Sequence, residues 1–139
     1  MSTEEVLVTQ WPTPKGYANG RVGRGRAVHV GGQIGWTAEG AFPAASADDP
    51  GFAAQFAQTL DNVLAVVRAA GGTPEDIAEM TVFVVDMPMY RAARKELAAV
   101  WRERFGKFFP AMALVAVREL FEDKALVEIQ AVAYVPEVP

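Results

Sequence analysis

A carboxylate and an amide stand together in the strongest strand pattern of the sequence. Residues 126–135 alternate like a half-buried strand, and the odd positions from Val127 to Val135 are all apolar. Glu128 and Gln130 occupy neighbouring even positions, so a strand would project both side chains from its opposite face. A charged group on a largely apolar face is solvated, paired or used in chemistry, and carboxylates can transfer protons. Glu128 is therefore the first candidate for a functional residue.

The residue counts exclude several kinds of site. The chain has no cysteine, so disulfides, thiol nucleophiles and cysteine-based zinc sites are excluded. One histidine, His29, cannot form a two-histidine metal site within one chain. A Ser-His-Asp triad would need His29 to meet Ser46, which lies in a segment of small residues. Carboxylates, arginines, tyrosines, backbone groups and water are left for chemistry, and we expect no metal.

The charge of the chain argues against several partners. The formal net charge is −4, whereas non-specific binding to nucleic acid depends on a basic surface. The basic residues at positions 15, 21, 24 and 26 form only a local cluster. No apolar run approaches the length of a membrane span, and residues 1–5 do not resemble a signal peptide. We therefore expect a cytoplasmic protein that binds neither nucleic acid nor a membrane.

Two helices and several strands must position these groups. Apolar residues spaced by three or four positions, from Phe52 to Val67, predict a first helix that ends near Gly71. A second helix is predicted over residues 88–106. The predicted strands cover residues 6–8, 26–30, 80–85, 111–117 and 126–135. The order β-β-α-β-α-β-β over residues 1–139 predicts a single α+β domain, with two helices on one face of an antiparallel or mixed sheet.

The other face of such a sheet must be either solvated or packed against another chain. Met112 and Leu114 project from one side of their predicted strand, and Val132 and Tyr134 share a side with Glu128 in theirs. If these apolar side chains point away from the helices, they form a surface too large for a monomer. We therefore expect an oligomer in which sheet faces pack together.

Seven short segments, in the right order, resemble the Rid family of reactive intermediate deaminases, also called the YjgF or L-PSP endoribonuclease-like family. The resemblance runs from about Tyr17 to Ala133. Its segments are GYA at 16–18, GGQI at 31–34, QTLDN at 58–62, one segment at 69–77 that begins with AAG and ends with DI, TVFVVDM at 81–87, FPAM at 109–112 and VEIQAVA at 127–133. Where this chain has GGQI and FPAM, the family has Ser-Gly-Gln-Ile and Phe-Pro-Ala-Arg.

The resemblance implies a chorismate-mutase-like α+β sandwich and a homotrimer with active-site clefts between subunits. It also implies hydrolysis of enamines and imines, such as 2-aminoacrylate, to keto acids and ammonia without a cofactor. In such members the arginine after Pro-Ala grips the substrate carboxylate through paired hydrogen bonds. By the same resemblance Glu128 handles the attacking water or a proton and Tyr17 orients the substrate, while Gly31, Gly32 and Ala111 line the pocket.

Two pocket positions depart from the family pattern. The arginine is Met112 here and the serine is Gly31, so the pocket becomes larger and its floor apolar and adaptable. Gln130 replaces the family's second acid. Arg94 stands on the second helix where many members carry an asparagine, and it is a candidate replacement cation that binds substrate. We expect that the protein does not process 2-aminoacrylate efficiently.

Three functions remain open. The first is deaminase-like hydrolysis of a larger or less acidic imine or enamine. The second, which Met112 favours, is a trimer that binds a small metabolite in the same clefts without catalysis. The third is an endoribonuclease or translation inhibitor, and the negative net charge counts against it. Plainer interpretations also stand: Glu128 as a structural acid, Tyr17 as a packed loop aromatic, Arg94 as a solvated helix residue, and residues 31–32 as a bulge without a ligand.

Overall fold

A four-stranded sheet and a layer of helices form the main body of the fold in a computed structural model, which describes residues 2–138. The strands are β1 (Thr3–Glu5), β2 (Arg21–Gly23), β3 (Arg26–Ile34), β4 (Ile77–Val84), β5 (Ala111–Ala116) and β6 (Val127–Val135). The helices are α1 (Phe52–Ala69), α2 (Met87–Ala92) and α3 (Arg94–Phe105), and a 3-10 turn at Pro74–Asp76 precedes β4.

The main sheet is mixed, with the strand order β3-β6-β4-β5. The last strand, β6, lies between β3 and β4 and runs antiparallel to both, whereas β5 runs parallel to β4 at the edge. The α+β architecture with a mixed sheet that the sequence predicts is confirmed. Because residues paired on neighbouring strands share a face, the register decides which side chains can meet.

The helices cover one face of the main sheet, and the core lies between the two layers. The odd-numbered residues of β6 are at most 4% exposed, as the alternation predicted. The apolar stripe of α1 from Phe52 to Val67 is buried as well. Burial of one such side chain is worth roughly 1.5–3 kcal/mol. The other face of the sheet, here called the open face, carries the even-numbered residues of β6 and the β4 residues Glu79, Thr81 and Phe83.

Met112 and Leu114 do not lie on the open face, contrary to the arrangement considered from the sequence. Strand β5 pairs Met112 with Met80 and Leu114 with Val82, and both partners are buried under the helices. The register of the parallel pair therefore turns these two side chains to the helix side. Apolar residues that do lie on the open face include Phe83, Ala113, Val115, Val132 and Tyr134.

The strand predicted at residues 6–8 is wrong. The N-terminal strand is β1, which pairs antiparallel with β2 in a separate two-stranded sheet. Beyond β1, the Val6 N–H donates a hydrogen bond of 2.9 Å to the Gly20 carbonyl, and the ladder then ends. Val6 and Leu7 are 43% and 66% exposed, whereas Thr3 is buried. The apolar triplet has no packed face to join, so the strand forms around Thr3 instead.

The second helix, predicted over residues 88–106, is interrupted at Ala93. Helix α2 ends before this residue and α3 begins after it, because the Ala93 backbone, with φ −91° and ψ 1°, does not continue the helix. The Asp86 carboxylate caps α2 by accepting a hydrogen bond of 2.9 Å from the Met89 N–H. Gly106 ends α3 with a φ of 61°, as its position predicted.

Candidate functional site

Met112, the residue that stands in place of the family arginine, lies on the helix side of the sheet. It pairs with Met80 and is half-buried against the core. Ala111, one residue earlier, pairs with Glu79 and therefore belongs to the open face. The edge strand β5 thus turns two predicted pocket residues to opposite sides of the sheet.

A cavity of about 480 Å³ opens beside Met112, between α3, the start of β5 and the loop that precedes β2. Its volume is in the range of small-molecule pockets, roughly 300–1,000 Å³. Its apolar lining includes Phe56, Leu97, Trp101, Phe109 and Met112. Its polar lining comes from Lys15, Tyr90, Arg94, Arg102 and Lys107. The predicted residues Met112 and Arg94 therefore share one cavity.

Tyr90 forms the part of the cavity next to Arg94. Its ring makes edge-to-face contacts with Phe52 and Phe56, at centroid distances of 6.1 and 6.3 Å. Burial raises the pKa of the Tyr90 phenol, and the positive charge of Arg94 offsets part of the rise. The phenol therefore stays protonated at neutral pH and can donate a hydrogen bond to a molecule in the cavity.

A backbone contact holds the Tyr17 loop at the start of β5. The Ala18 N–H donates a hydrogen bond of 2.9 Å to the Pro110 carbonyl, and Ala18 pairs with Ala111 in a parallel bridge. Tyr17 itself is 43% exposed, and Gly16 before it lines the cavity. The loop that carries Tyr17 therefore lies against Ala111 and at the margin of the cavity.

Arg21 fixes the segment that leads into β5. Its guanidinium carbon lies 4.5 Å from the centroid of the Phe108 ring, a cation–π distance. Its Nη1 donates to the Phe109 carbonyl at 3.4 Å, and its Nε donates to Thr3 Oγ1 at 3.0 Å. Arg21 therefore has a structural role in addition to its place in the local basic cluster, because it joins β1 to the segment before Ala111.

Glu128 lies on the open face, far from Met112. It pairs with Phe83 of β4 and is half-buried. Its carboxylate occupies the space above Gly32, where an added Cβ would overlap Oε2 and lie 2.9 Å from Cδ. Gly31 has open space instead, with nothing within 4 Å of an added Cβ. The Glu128 side chain is therefore packed against backbone that only glycine leaves accessible.

A bulge in β3 borders the Glu128 carboxylate. Pairing with β6 is regular up to Val30 and resumes one residue out of step at Gln33. Gly31 and Gly32 fall in the interruption and are exposed, so their backbone groups are open to other molecules. The Gln33 Nε2 donates to the Gly31 carbonyl at 3.1 Å. The bulge considered from the sequence at residues 31–32 is present, and it lies beside the Glu128 carboxylate.

The predicted site residues fall into two groups that one chain does not bring together. The cavity group consists of Arg94, Met112 and the loop of Tyr17, and the bulge group consists of Gly31, Gly32 and Glu128. Ala111 lines neither, because it contacts the Tyr17 loop but lies on the open face. Strand β4 separates β5 from β6. Met112 and Glu128 pair with β4 residues three positions apart, roughly 10 Å along the strand, and point to opposite faces.

Within residues 2–138, no three histidine, aspartate or glutamate side chains come close enough to hold a metal ion. Over the same residues, no helix is both long and apolar enough to cross a membrane.

The sequence analysis missed Tyr90 and Lys15 as residues of the cavity. Tyr90 stands four residues before Arg94 within the predicted second helix, a spacing that places two side chains on one face of a continuous helix. That spacing was the available signal. Lys15 had none, because its position in the cavity depends on the bridge between the Tyr17 loop and β5.

Comparisons with known proteins agree on one family. The family model described as Endoribonuclease L-PSP matches residues 9–135. A RutC family protein from Haemophilus influenzae is 40% identical over 80 residues, which make up 58% of this chain and 61% of that protein. A 2-iminobutanoate/2-iminopropanoate deaminase from Escherichia coli is 41% identical over 81 residues, which make up 58% of this chain and 62% of that protein.

The chain therefore spans about six tenths of the length of these two curated relatives. One solved structure matches nearly the whole chain. It is a protein of unknown function of the conserved Rid family from Yersinia pestis, with a TM-score of 0.80 and 29% identity, and the match covers 97% of this chain and 100% of that one. With a family model that matches residues 9–135 and a Rid protein of the same fold, the chain belongs to the Endoribonuclease L-PSP family, the Rid or YjgF family that its seven segments resemble.

Proposed function

We propose that the protein hydrolyses a reactive imine or enamine to a carbonyl compound and ammonia. The observation that carries this proposal is the Glu128 carboxylate, held against the exposed backbone of Gly32 at the β3 bulge. A carboxylate beside accessible N–H and C=O groups can orient a water molecule and take its proton. The deaminase name of the Escherichia coli relative, which matches 58% of this chain, supports the same class of reaction.

In the proposed reaction, Glu128 accepts a proton from water while the water oxygen attacks the carbon of the C=N bond. Glu128 passes this proton to the nitrogen, so the intermediate carries a hydroxyl and an amino group on one carbon and the carboxylate is regenerated. The C–N bond then breaks, the hydroxyl proton moves through Glu128 to the leaving nitrogen, ammonia departs, and the C–O bond becomes a carbonyl. An enamine enters this sequence once its carbon has gained a proton and its nitrogen has lost one, which gives the imine. Tyr17 orients the substrate, and the backbone of Gly31 and Gly32 holds it.

A homotrimer would join the cavity group to the bulge group. Met112 and Glu128 lie on opposite faces of the sheet, so a site that uses both needs two copies of the chain. The open face offers a surface for such packing, because it carries apolar side chains such as Val115, which is 40% exposed. In the proposed trimer, each cleft combines Glu128 of one subunit with the cavity of its neighbour.

Replacing Glu128 by glutamine tests the proposed reaction. The amide keeps the size of the side chain but cannot accept the proton, so we expect kcat for imine hydrolysis to fall roughly 100-fold or more. The imine is generated in place by an amino acid oxidase and its decay is followed. Glu39→Gln is the control, since Glu39 is an exposed acid in a loop outside the open face and outside both groups, and the kcat of this variant should be that of wild type. Unchanged turnover in Glu128→Gln would refute the proposed role.

Met112 favours a second candidate, a trimer that binds a small metabolite in the same clefts without catalysis. A thioether cannot grip a carboxylate as a guanidinium does. If the protein does not raise the hydrolysis rate of any imine in a panel above background, yet binds a carboxylate in its cavity, this second candidate would be established instead. The nuclease in the family's description has no comparable support, because a net charge of −4 works against the electrostatic attraction on which binding to RNA depends.

A further inference from the structure

The cavity beside Met112 carries charge of one sign. Four of its lining residues are basic, and no described residue in the lining is acidic. The basic residues are Lys15, Arg94, Arg102 and Lys107. Because the whole chain has a net charge of −4, this is a local concentration of positive charge rather than a general property of the surface. Such a cavity attracts an anion.

Arg94 is the basic residue of the lining whose charge acts on Tyr90, the neutral hydrogen-bond donor of the cavity. It begins α3 and stands close enough to Tyr90 for its charge to act on the pKa of the phenol. Within residues 2–138 the salt bridges involve Arg104, and none engages Arg94. A free guanidinium can bind a carboxylate through two parallel hydrogen bonds, and the neutral Tyr90 hydroxyl can donate a third.

The rest of the lining suits a large apolar group. Trp101 is stacked on Phe105 and Phe109, with ring centroids 4.1 and 5.4 Å apart, so this wall is rigid and aromatic. Met112 faces the same space with a flexible, polarisable side chain that adapts to different shapes. A three-carbon substrate would leave most of the 480 Å³ cavity unfilled. A ring or a branched chain would cover the aromatic wall and gain affinity from burial.

We propose that the cavity takes a carboxylate with a bulky apolar, aromatic-sized side chain, anchored by Arg94 and Tyr90 instead of by a strand arginine. This inference rests on the proposed function, because it names the class of imine that the same site would hydrolyse: a 2-imino acid with such a side chain. The anchor has moved from β5 to the start of α3, and Met112 has freed the old anchor position for the apolar part of the ligand.

Stable keto acids test the ligand class without any chemistry. Calorimetry on the full chain would measure binding of phenylpyruvate and of pyruvate. We expect phenylpyruvate to bind at least about tenfold more tightly, since the two differ by a phenyl group that the aromatic wall can bury. Equal affinities, or no measurable binding of either acid, would overturn the proposed class.

Arg94→Gln tests the anchor, with Arg91→Gln as its matched control. Arg91 is an exposed arginine of α2 that is not among the residues lining the cavity. Arg94→Gln should weaken phenylpyruvate binding roughly tenfold or more, because a charge-assisted hydrogen bond is lost. It should leave binding of the neutral ketone phenylacetone unchanged, and Arg91→Gln should leave both unchanged. Wild-type affinity for phenylpyruvate in Arg94→Gln would overturn the anchor.

The two proposals can fail separately. Binding of phenylpyruvate that depends on Arg94, together with no hydrolysis of the imine of phenylalanine, would refute the proposed reaction and support the ligand class. Hydrolysis of the imine of alanine at least as fast as that of phenylalanine, in both wild type and Arg94→Gln, would support the reaction and overturn this inference.

Discussion

Gly32 is the residue on which the position of the Glu128 carboxylate depends. An alanine Cβ at this position would overlap Oε2 and lie 2.9 Å from Cδ, atoms at the end of a flexible side chain. The carboxylate, rather than the backbone, would therefore move. We expect Gly32→Ala to lower kcat for imine hydrolysis about 10- to 100-fold, as a displacement of a catalytic group by about 1 Å does. The free energy of unfolding should change by less than about 1 kcal/mol in urea titrations.

Gly20→Ala is the matched control for this substitution. An added Cβ at Gly20 would meet only the Val6 side chain, at an ordinary contact distance of 3.6 Å. Gly20 also lies outside both groups of site residues, so the kcat of Gly20→Ala should stay within about twofold of wild type. A Gly32→Ala protein with wild-type kcat would mean that contact with this backbone does not position the carboxylate.

At the scale of elements, α1 shows how far the sequence pattern carries. Its apolar stripe was predictable, because spacings of three and four follow from the pitch of a helix. The burial of Gln55, which is on the same helix and 4% exposed, was not predictable from the sequence. Its hydrogen-bond partners are backbone groups 69 and 71 residues away, and no local pattern reports contacts at such a separation. The same limit explains why the strand predicted at residues 6–8 was wrong, because these residues have strand propensity but no packed face to join.

Gln55 connects α1 to the segment just before β6. Its Nε2 donates to the Lys124 carbonyl at 2.8 Å, and its Oε1 accepts from the Leu126 N–H at 2.9 Å. Gln55→Ala leaves both backbone groups without these partners, so the free energy of unfolding should fall by about 1–3 kcal/mol. Gln58→Ala, on the same helix, removes only a bond to Asn62 and should cost less than about 0.5 kcal/mol. Equal losses in urea titrations would contradict the role of Gln55.

Asp76 links the N-terminus to the turn before β4, and its contribution depends on pH. Burial opposes the charged form, but hydrogen bonds from Ser2 and Thr73 outweigh it and lower the pKa of the carboxyl. A depressed folded pKa stabilises the fold above the unfolded pKa of about 3.9, and this stability is lost as the pH falls through the folded pKa. Asp76→Asn should therefore cost about 1–3 kcal/mol at pH 7 and progressively less below about pH 4.

Glu75→Gln provides the comparison for Asp76, because Glu75 is the adjacent acid and is exposed. Its unfolding curve should stay close to that of wild type at both pH values. A stability difference between Asp76→Asn and wild type that does not change between pH 7 and pH 3 would mean that the charge of Asp76 makes no contribution.

At the scale of the whole molecule, the sequence predicted candidate site residues but not their separation. Alternation assigns residues to the two faces of one strand, yet it does not say which face the helices cover. For Met112 that choice follows from the parallel register of β5 on β4, a pairing between segments more than thirty positions apart. The resemblance to the family named Glu128 and Met112 as parts of one cleft. Only the pairing with β4 reveals that a single chain holds them on opposite faces.

A mixture of two inactive variants tests whether the cleft is shared between subunits. Glu128→Gln removes the proposed proton acceptor. Ala98→Trp fills the cavity, because Ala98 lines it and is exposed, so the indole displaces solvent rather than core. Each variant alone should form trimers by native mass spectrometry and retain about 1% or less of wild-type imine hydrolysis.

Co-expression of the two variants at equal levels should restore activity. In a ring of three subunits, each cleft takes its carboxylate from one subunit and its cavity from the neighbour. A cleft is intact when an Ala98→Trp subunit provides Glu128 and a Glu128→Gln subunit provides the open cavity, which random assembly gives in about a quarter of clefts. We therefore expect about a quarter of wild-type activity per cleft. If both groups instead acted within one chain, every site would contain one defect, and the mixture would be no more active than its parents.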